Sequence, residues 1–125
     1  SKFAKIDLTQ AINLEEIGNG AFIESNLTSI KFNEGLKKIG NDTFSYSQLS
    51  GSIKLPSTLE SIGSYSFENC GLTSVIIPSN VINIGSQAFA NNPNLSTITV
   101  KRASSDGMTL GSNWNGTATV VYDPS

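Results

Sequence analysis

The stretch LESIGSYSFENCGLTSVIIPSN, residues 59–80, decides the fold, because its apolar residues return at the same spacing elsewhere in the chain. It holds an Ile-Gly pair, then Phe67 five residues after the isoleucine, then Leu72, and finally an alternating pair, Val75 and Ile77. Self-similarity with a period of roughly 20 to 50 residues is typical of a solenoid, in which each unit stacks on the next.

The same features occur four times in phase. The Ile-Gly pairs begin at Ile17, Ile39, Ile62 and Ile84, in steps of 22, 23 and 22 residues. The phenylalanines are Phe22, Phe44, Phe67 and Phe89, and the leucines that follow are Leu27, Leu49, Leu72 and Leu95. The alternating pairs are Ile30/Phe32, Ile53/Leu55, Val75/Ile77 and Ile98/Val100, and the units open at Leu14, Leu36, Leu59 and Val81. Ile6 and Leu8 indicate a partial unit before the first full one.

Local chemistry predicts the structure of each unit. The alternating pairs favour strands with one inward and one outward face. Pro56 and Pro78 follow two of these strands and should end them, since proline cannot donate to a ladder. The segment from Ile-Gly to phenylalanine is short and rich in Gly, Ser and Asn, which predicts a tight turn with one helical or 3₁₀ turn around the phenylalanine.

A single unit buries too little apolar surface to offset the entropy of ordering its own chain, so the units have to stack. Stacking predicts a column of phenylalanines through the core and one parallel sheet of strands. We expect a solenoid over residues 1–101, with about four full repeats and a partial N-terminal one. Residues 102–125 fall outside the period and predict a β cap, in which Trp114 and Tyr122 are the large apolar groups available to cover the end.

The pattern resembles the BspA-type leucine-rich repeat, whose consensus is L-x-x-I-G-x-x-A-F-x-x-C-x-x-L-x-x-I-x-I-P. Residues 59–80 match it closely, Cys70 included, and the resemblance covers roughly residues 5 to 101. Individual units depart from it, with Thr or Ser at the Ala position, Ser or Asn at the Cys position, and one extra residue near Gly51 and near 92–93. The resemblance implies a leucine-rich-repeat solenoid with its sheet on a concave face. It also implies a bacterial surface or secreted setting and adhesion to host or neighbouring-cell proteins.

Composition narrows the function. The net charge of −2 and the 14% of charged residues remove the electrostatic pull toward phosphate that nucleic-acid binders need. No apolar run is long enough for a membrane span. The chain begins at Ser1 without a methionine, which indicates a processed protein or a fragment.

Catalytic and metal-binding patterns are weak. The sequence has no histidine to activate a Ser or Cys nucleophile. Cys70 instead fits the small turn position that serine holds in other units. Gly18-Asn19-Gly20 lacks the third glycine and the following helix of a phosphate loop. The carboxylates are scattered, and no Cys cluster or calcium-loop spacing occurs. We therefore predict no enzyme activity, cofactor or metal, although a glycosidase-like carboxylate pair stays open.

The outward strand positions are the candidate contact surface. Its members are Asp7, Ser29, Lys31, Ser52, Lys54, Ser74, Ile76, Thr97 and Thr99. Strands about 4.8 Å apart would place Lys31 and Lys54 side by side as a cationic spot, with Ile76 as an apolar contact. The alternative is a solvated face whose lysines discourage aggregation. The face covers roughly 250 Å², against about 800 Å² per partner in a standard interface.

Three functions follow. The first is a non-enzymatic, extracellular or cell-surface module that contacts extracellular or host proteins, without nucleic-acid binding or membrane insertion. The second is a structural spacer within a larger cell-wall protein. The third is carbohydrate binding by the C-terminal tail, with Trp114 stacked on a sugar ring, which requires an exposed indole.

Overall fold

A computed structural model describes residues 4–125, which wind into coils that each contain a short strand, a turn segment and a long strand. The long strands are β1 (Ala4–Asp7), β3 (Leu27–Lys31), β5 (Ser50–Lys54), β7 (Gly71–Ile77), β9 (Thr97–Val100) and β11 (Thr119–Tyr122). The short strands are β2 (Glu16–Ile17), β4 (Lys38–Ile39), β6 (Ser61–Ile62), β8 (Asn83–Ile84) and β10 (Thr109–Leu110). Strands of one kind pair in parallel with those of the next coil, which confirms the predicted parallel-strand solenoid.

The long strands form two sheets rather than one. β1 pairs with β3, while β5, β7, β9 and β11 form a four-stranded sheet. In the described chain β3 and β5 are not hydrogen-bonded neighbours. The stretch from Leu49 to Ile53 is one residue longer than its counterpart in the coil before, and Gly51 takes a positive φ of 73° there. The prediction of one continuous sheet is therefore wrong, because the extra residue interrupts the register between these two strands.

The Ile-Gly pairs lie on a further sheet that the sequence analysis treated only as a turn. The short strands pair in the order β10-β8-β6-β4-β2, with Ile17, Ile39, Ile62, Ile84 and Leu110 in register. The isoleucines point into the core, and each is at most 6% exposed. A Cβ on Gly40 would lie only 2.5 Å from Asn19 Oδ1 and 2.8 Å from Asn19 N. Isoleucine thus fills the core while glycine allows the backbones of successive coils to touch.

The turn segments contain no α- or 3₁₀-helix within residues 4–125, so the predicted helical turn around the phenylalanine is wrong. Positive φ values recur along these segments, for example 56° at Asp42 and 57° at Tyr46. The N–H groups of alternate residues donate to the next coil instead of along their own segment. Phe44 N, for instance, lies 2.7 Å from Ser66 O. Hydrogen bonds between coils therefore replace the i to i−4 bonds that a helix would require.

The phenylalanines form the predicted column, which is confirmed. Phe22 stacks on Phe44 with centroids 5.5 Å apart, Phe44 on Phe67 at 5.1 Å, and Phe67 on Phe89 at 5.2 Å. Phe44, Phe67 and Phe89 are at most 1% exposed, whereas Phe22 is only partly buried because it lies in the first of these coils. Rings about 5 Å apart in offset stacks are favourable beyond the area they bury.

Residues 102–125 continue both sheets as a last coil. β10 pairs with β8, and β11 pairs with β9, which confirms the strand predicted in TATVVY, while the role of this segment as a cap stays a prediction. The division of the chain at residue 101 stays a prediction, since strand pairing continues across it. Trp114 packs edge-on against Phe89, with centroids 6.4 Å apart, and ends the aromatic column.

No helix long and apolar enough to cross a bilayer occurs in the described residues.

Candidate functional site

The outward side chains of the long strands form a surface that we call the strand face. Strand pairing places Asp7 opposite Lys31 in the first sheet. In the second sheet it aligns Lys54 with Ile76, and Ile76 with Thr99. β11 adds Val121 beside Thr99, a position that the sequence analysis did not include. Alternation along each strand explains the arrangement, because the intervening residues Ile53, Val75 and Ile98 are buried in the core.

The preceding column of the strand face is small and hydroxylated. Ser29 lies in β3, while Ser52, Ser74 and Thr97 are aligned across the second sheet. The hydroxyls of Ser52 and Ser74 lie 2.6 Å apart and share a hydrogen bond. In the second sheet these side chains carry no charge, whereas in the first sheet the exposed Lys5 lies opposite Ser29 and adds a cation to the column.

Lys31 and Lys54 stand on different sheets, so strand pairing does not set them side by side as predicted. They nevertheless line one cavity of about 500 Å³. A second cavity, of about 680 Å³, adjoins it and shares Lys54, Leu55 and Glu34 with it. We call the two together the strand-end groove, because they follow the ends of the long strands.

The groove is mostly apolar. Ile12, Ile30 and Phe32 line its first cavity, and Ile76 and Pro78 line the second. Ile12 is 73% exposed and Ile76 is 57% exposed, values that are high for large apolar side chains. An exposed apolar cluster with a polar rim is the usual character of an interaction surface.

The charged groups of the groove differ in how they are held. Glu34 Oε1 accepts a hydrogen bond of 2.5 Å from the Ser57 hydroxyl. Lys101 Nζ lies 3.4 Å from Asp123 Oδ2, the one ion pair within 4.0 Å in the described chain. Lys54, which both cavities share, forms no such pair there. Its ammonium group therefore has no carboxylate of residues 4–125 within 4.0 Å, although Glu34 lines both cavities with it.

Two carboxylates at the margins of the strand face are held by hydroxyl groups. The Thr9 hydroxyl and the Thr9 backbone N–H donate to Asp7 and lower its pKa, and the nearby Lys31 lowers it further. The Ser125 hydroxyl and backbone N–H lower the pKa of Asp123 in the same way, with a smaller contribution from Lys101. Both carboxylates are ionised at neutral pH, and each accepts hydrogen bonds from the residue two positions later in the chain.

Sequence reasoning missed several residues of the groove. Ile12 and Glu34 share one repeat position, in loops between strands, that holds serine in later coils. Lys101 takes the position after its strand that Pro56 and Pro78 hold in earlier coils. Pro56 and Pro78, which the sequence predicts as strand ends, also line the groove. The prolines, which recur at one position after successive strands, were the signal that could have marked this edge.

Trp114 is 7% exposed and packs on the core. Its main-chain oxygen accepts from Phe89 N at 2.9 Å, just as Ala88 O accepts from Phe67 N at 2.8 Å. Trp114 thus lies at the repeat position that Ala88 holds in the preceding coil, directly before the phenylalanine position, and its ring is buried in the core. Stacking of a sugar on this indole requires an exposed ring, and the buried position removes the basis of the carbohydrate alternative.

Cys70 and the acidic residues do not assemble into a reactive centre. Burial raises the pKa of the Cys70 thiol, and the hydrogen bond with Ser47 opposes this shift only in part. Glu34 is the single carboxylate among the residues that line the groove. No group of three or more His, Cys, Asp or Glu side chains in residues 4–125 is placed to hold a metal ion.

Comparison with known families identifies the repeat. A family model described as "BspA type Leucine rich repeat region" matches six copies over residues 2–109. The match ends inside the capping segment and counts more copies than the four full units and one partial unit expected from the sequence. No curated protein and no solved structure matches the chain.

Proposed function

Because the chain belongs to the BspA-type leucine-rich repeat family, we propose that it is a non-enzymatic module of a cell-surface or secreted protein that binds other proteins through its strand face. Repeats of this family are protein-interaction modules. Stacked repeats build an extended surface from short units, and such surfaces are used for binding. The observation that carries the proposal is the strand face with the exposed, largely apolar groove beside it.

The size of the surface supports weak, multivalent binding. The four paired strands of the larger sheet, about 4.8 Å apart and with four residues of about 3.3 Å each, cover roughly 190 Å², and the two-stranded sheet adds a smaller area. A standard interface buries about 800 Å² per partner, so the strand face alone falls short of it. The strand-end groove extends the contact area, and several copies displayed on one surface would raise the avidity.

The cell-surface or secreted location is the part of the proposal that rests on the family alone. The low share of charged residues and the hydroxyl side chains of the strand face are compatible with an exposed extracellular surface. Adhesion to host or neighbouring-cell proteins is the function that this setting favours.

The test displays the full 125-residue chain at high density on a biosensor and exposes it to a panel of purified extracellular-matrix and host-surface proteins. We expect at least one to bind, with a response that falls steeply as the surface density is lowered. Thr99→Arg places a long cation on an interior strand of the four-stranded sheet, between Ile76 and Val121, and should abolish the response. Asn83→Arg, on an exposed position of β8 in the other sheet, is the matched control and should leave the response unchanged.

Silence across the whole panel would contradict the interaction proposal and favour the spacer within a larger cell-wall protein. Equal responses for Thr99→Arg and Asn83→Arg would show binding that does not use the strand face.

A further inference from the structure

The strand-end groove has an arrangement that points to one kind of occupant. Lys54 stands where its two cavities meet, with Ile12 and Phe32 in the cavity on one side and Ile76 and Pro78 in the cavity on the other. An amine without an ion-pair partner in the described chain therefore lies between two apolar cavities. Both cavities open on the side of the molecule that carries the strand face, and Lys31, Lys54 and Ile76 belong to both surfaces.

We propose that this groove binds an extended protein segment in which one Asp or Glu stands between two large apolar residues, in the pattern apolar-x-acidic-x-apolar. The acidic side chain would meet Lys54, and the two apolar side chains would enter the two cavities. In an extended chain, residues two apart project on the same side at about 6.6 Å spacing. One segment can therefore present all three side chains to the groove. This inference rests on the proposed function and names the partner's chemistry for part of the same surface.

Charge complementarity favours a single acidic group rather than a run of them. Asp123 already pairs with Lys101 at one end of the groove, and Asp7 lies beside Lys31 at the other. Glu34 lines both cavities and would repel additional carboxylates, while Ser57 holds its oxygen. Lys54 remains as the position where a partner's carboxylate gains a charge-assisted hydrogen bond.

Apolar contacts supply the remaining part of the binding free energy. Ile76 is 57% exposed and Ile12 is 73% exposed, and covering them removes apolar surface from water. A segment that carried only carboxylates would leave both side chains in solvent. The chemistry of the groove thus discriminates between this motif and a purely anionic polymer.

The test measures fluorescence anisotropy with a labelled peptide, Ser-Leu-Thr-Glu-Thr-Leu-Ser, and the full 125-residue chain. Three further peptides replace Glu by Gln, Glu by Lys, or both Leu by Ser. An exposed ion pair contributes up to about 1 kcal/mol, so the Gln peptide should bind up to about fivefold more weakly. The Lys peptide and the Ser peptide should lose binding altogether.

Matched variants locate the contact. Lys54→Gln should weaken binding of the Glu peptide by up to about fivefold. It should leave the affinity of the Gln peptide unchanged, because that peptide carries no carboxylate to pair with Lys54. Lys38→Gln, at an exposed lysine on the short strand β4, should change neither. Ile76→Ser should weaken both peptides, whereas Ile82→Ser, at an exposed isoleucine outside the groove, should have no effect.

Several results would overturn the inference. One is the absence of peptide binding at about 1 mM, the weak limit of the affinity scale. Another is equal binding of poly-glutamate, and a third is an equal effect of Lys54→Gln on the Glu and Gln peptides. The proposed function is tested separately: panel proteins that bind Lys54→Gln unchanged but not Thr99→Arg would keep the strand-face function while removing the motif.

Discussion

The side-chain amide of Asn92 donates to the main-chain oxygen of Phe67 in the preceding coil, with Nδ2 2.9 Å from the oxygen. Cys70 holds the equivalent position one coil earlier, and its Sγ lies 3.2 Å from the main-chain oxygen of Phe44. Both side chains are buried. In these two coils the side chain at this position therefore donates to the carbonyl of a core phenylalanine. In the coil before them the Ser47 hydroxyl instead contacts Cys70 Sγ and accepts from Leu49 N.

Asn92→Ala should destabilise the protein by about 3 kcal/mol, because it removes the donor to three main-chain carbonyls and the acceptor of Leu72 N. The measurement is urea unfolding followed by circular dichroism. Asn94→Ala, two residues later and exposed, is the control and should shift the midpoint very little. Equal losses for the two variants would contradict a structural role for the buried amide.

Gly63→Ala should be strongly destabilising, at about 3 kcal/mol, because its Cβ would collide with the main-chain atoms of Gly40 and Asn41. Gly18→Ala is the matched control from the first Ile-Gly pair. Its Cβ would meet no atom within 4 Å, so we expect a change below about 0.5 kcal/mol. Thermal unfolding of the two variants distinguishes coil-to-coil contact from a general intolerance of alanine in the Ile-Gly pair.

Phe67→Ala should cost about 3–5 kcal/mol, because it opens a cavity between two stacked rings in the fully buried part of the column. Phe22→Ala should cost clearly less, since Phe22 is only partly buried and has one ring stacked on it. Equilibrium urea unfolding gives both values. A larger loss at Phe22 would mean that the column is not the continuous core that we describe.

Cys70 should make stability depend on pH in the alkaline range. Burial raises the pKa of its thiol above the unfolded value of about 8.5. The contribution of the thiol to the free energy of unfolding is therefore fully present below about pH 8.5. It falls as the pH rises above this value, since the thiol of the unfolded chain releases its proton more readily than that of the folded chain. The free energy of unfolding should fall by at most about 1.4 kcal/mol per pH unit in this range.

The check is the difference in unfolding free energy between the wild-type protein and Cys70→Ser from pH 7 to 10, which cancels the contributions of lysine and tyrosine. A difference that stays constant over this range would refute the prediction. A thiol-reactive dye should also label the wild-type protein only as fast as it unfolds, because Cys70 is 6% exposed.

The period of the chain and the inward positions were predictable from the sequence by itself. Alternation along a strand is local, so Val75 and Ile77 had to share a face wherever that strand lay. Pro78 ended the strand for an equally local reason. The recurring phenylalanines then had to meet, because equal spacing in stacked units superimposes equal positions.

The tertiary structure decided what depends on contacts between coils. The turn segments are not helical because alternate N–H groups find partners about 22 residues away, and no local propensity records that competition. One inserted residue near Gly51 divides the sheet, although the period of the repeat tolerates it. Trp114 is buried because the register of the last coil turns it onto Phe89. The strand-end groove joins Ile12, Lys54 and Ile76 from separate coils, and only the stacking of those coils brings their side chains to one surface.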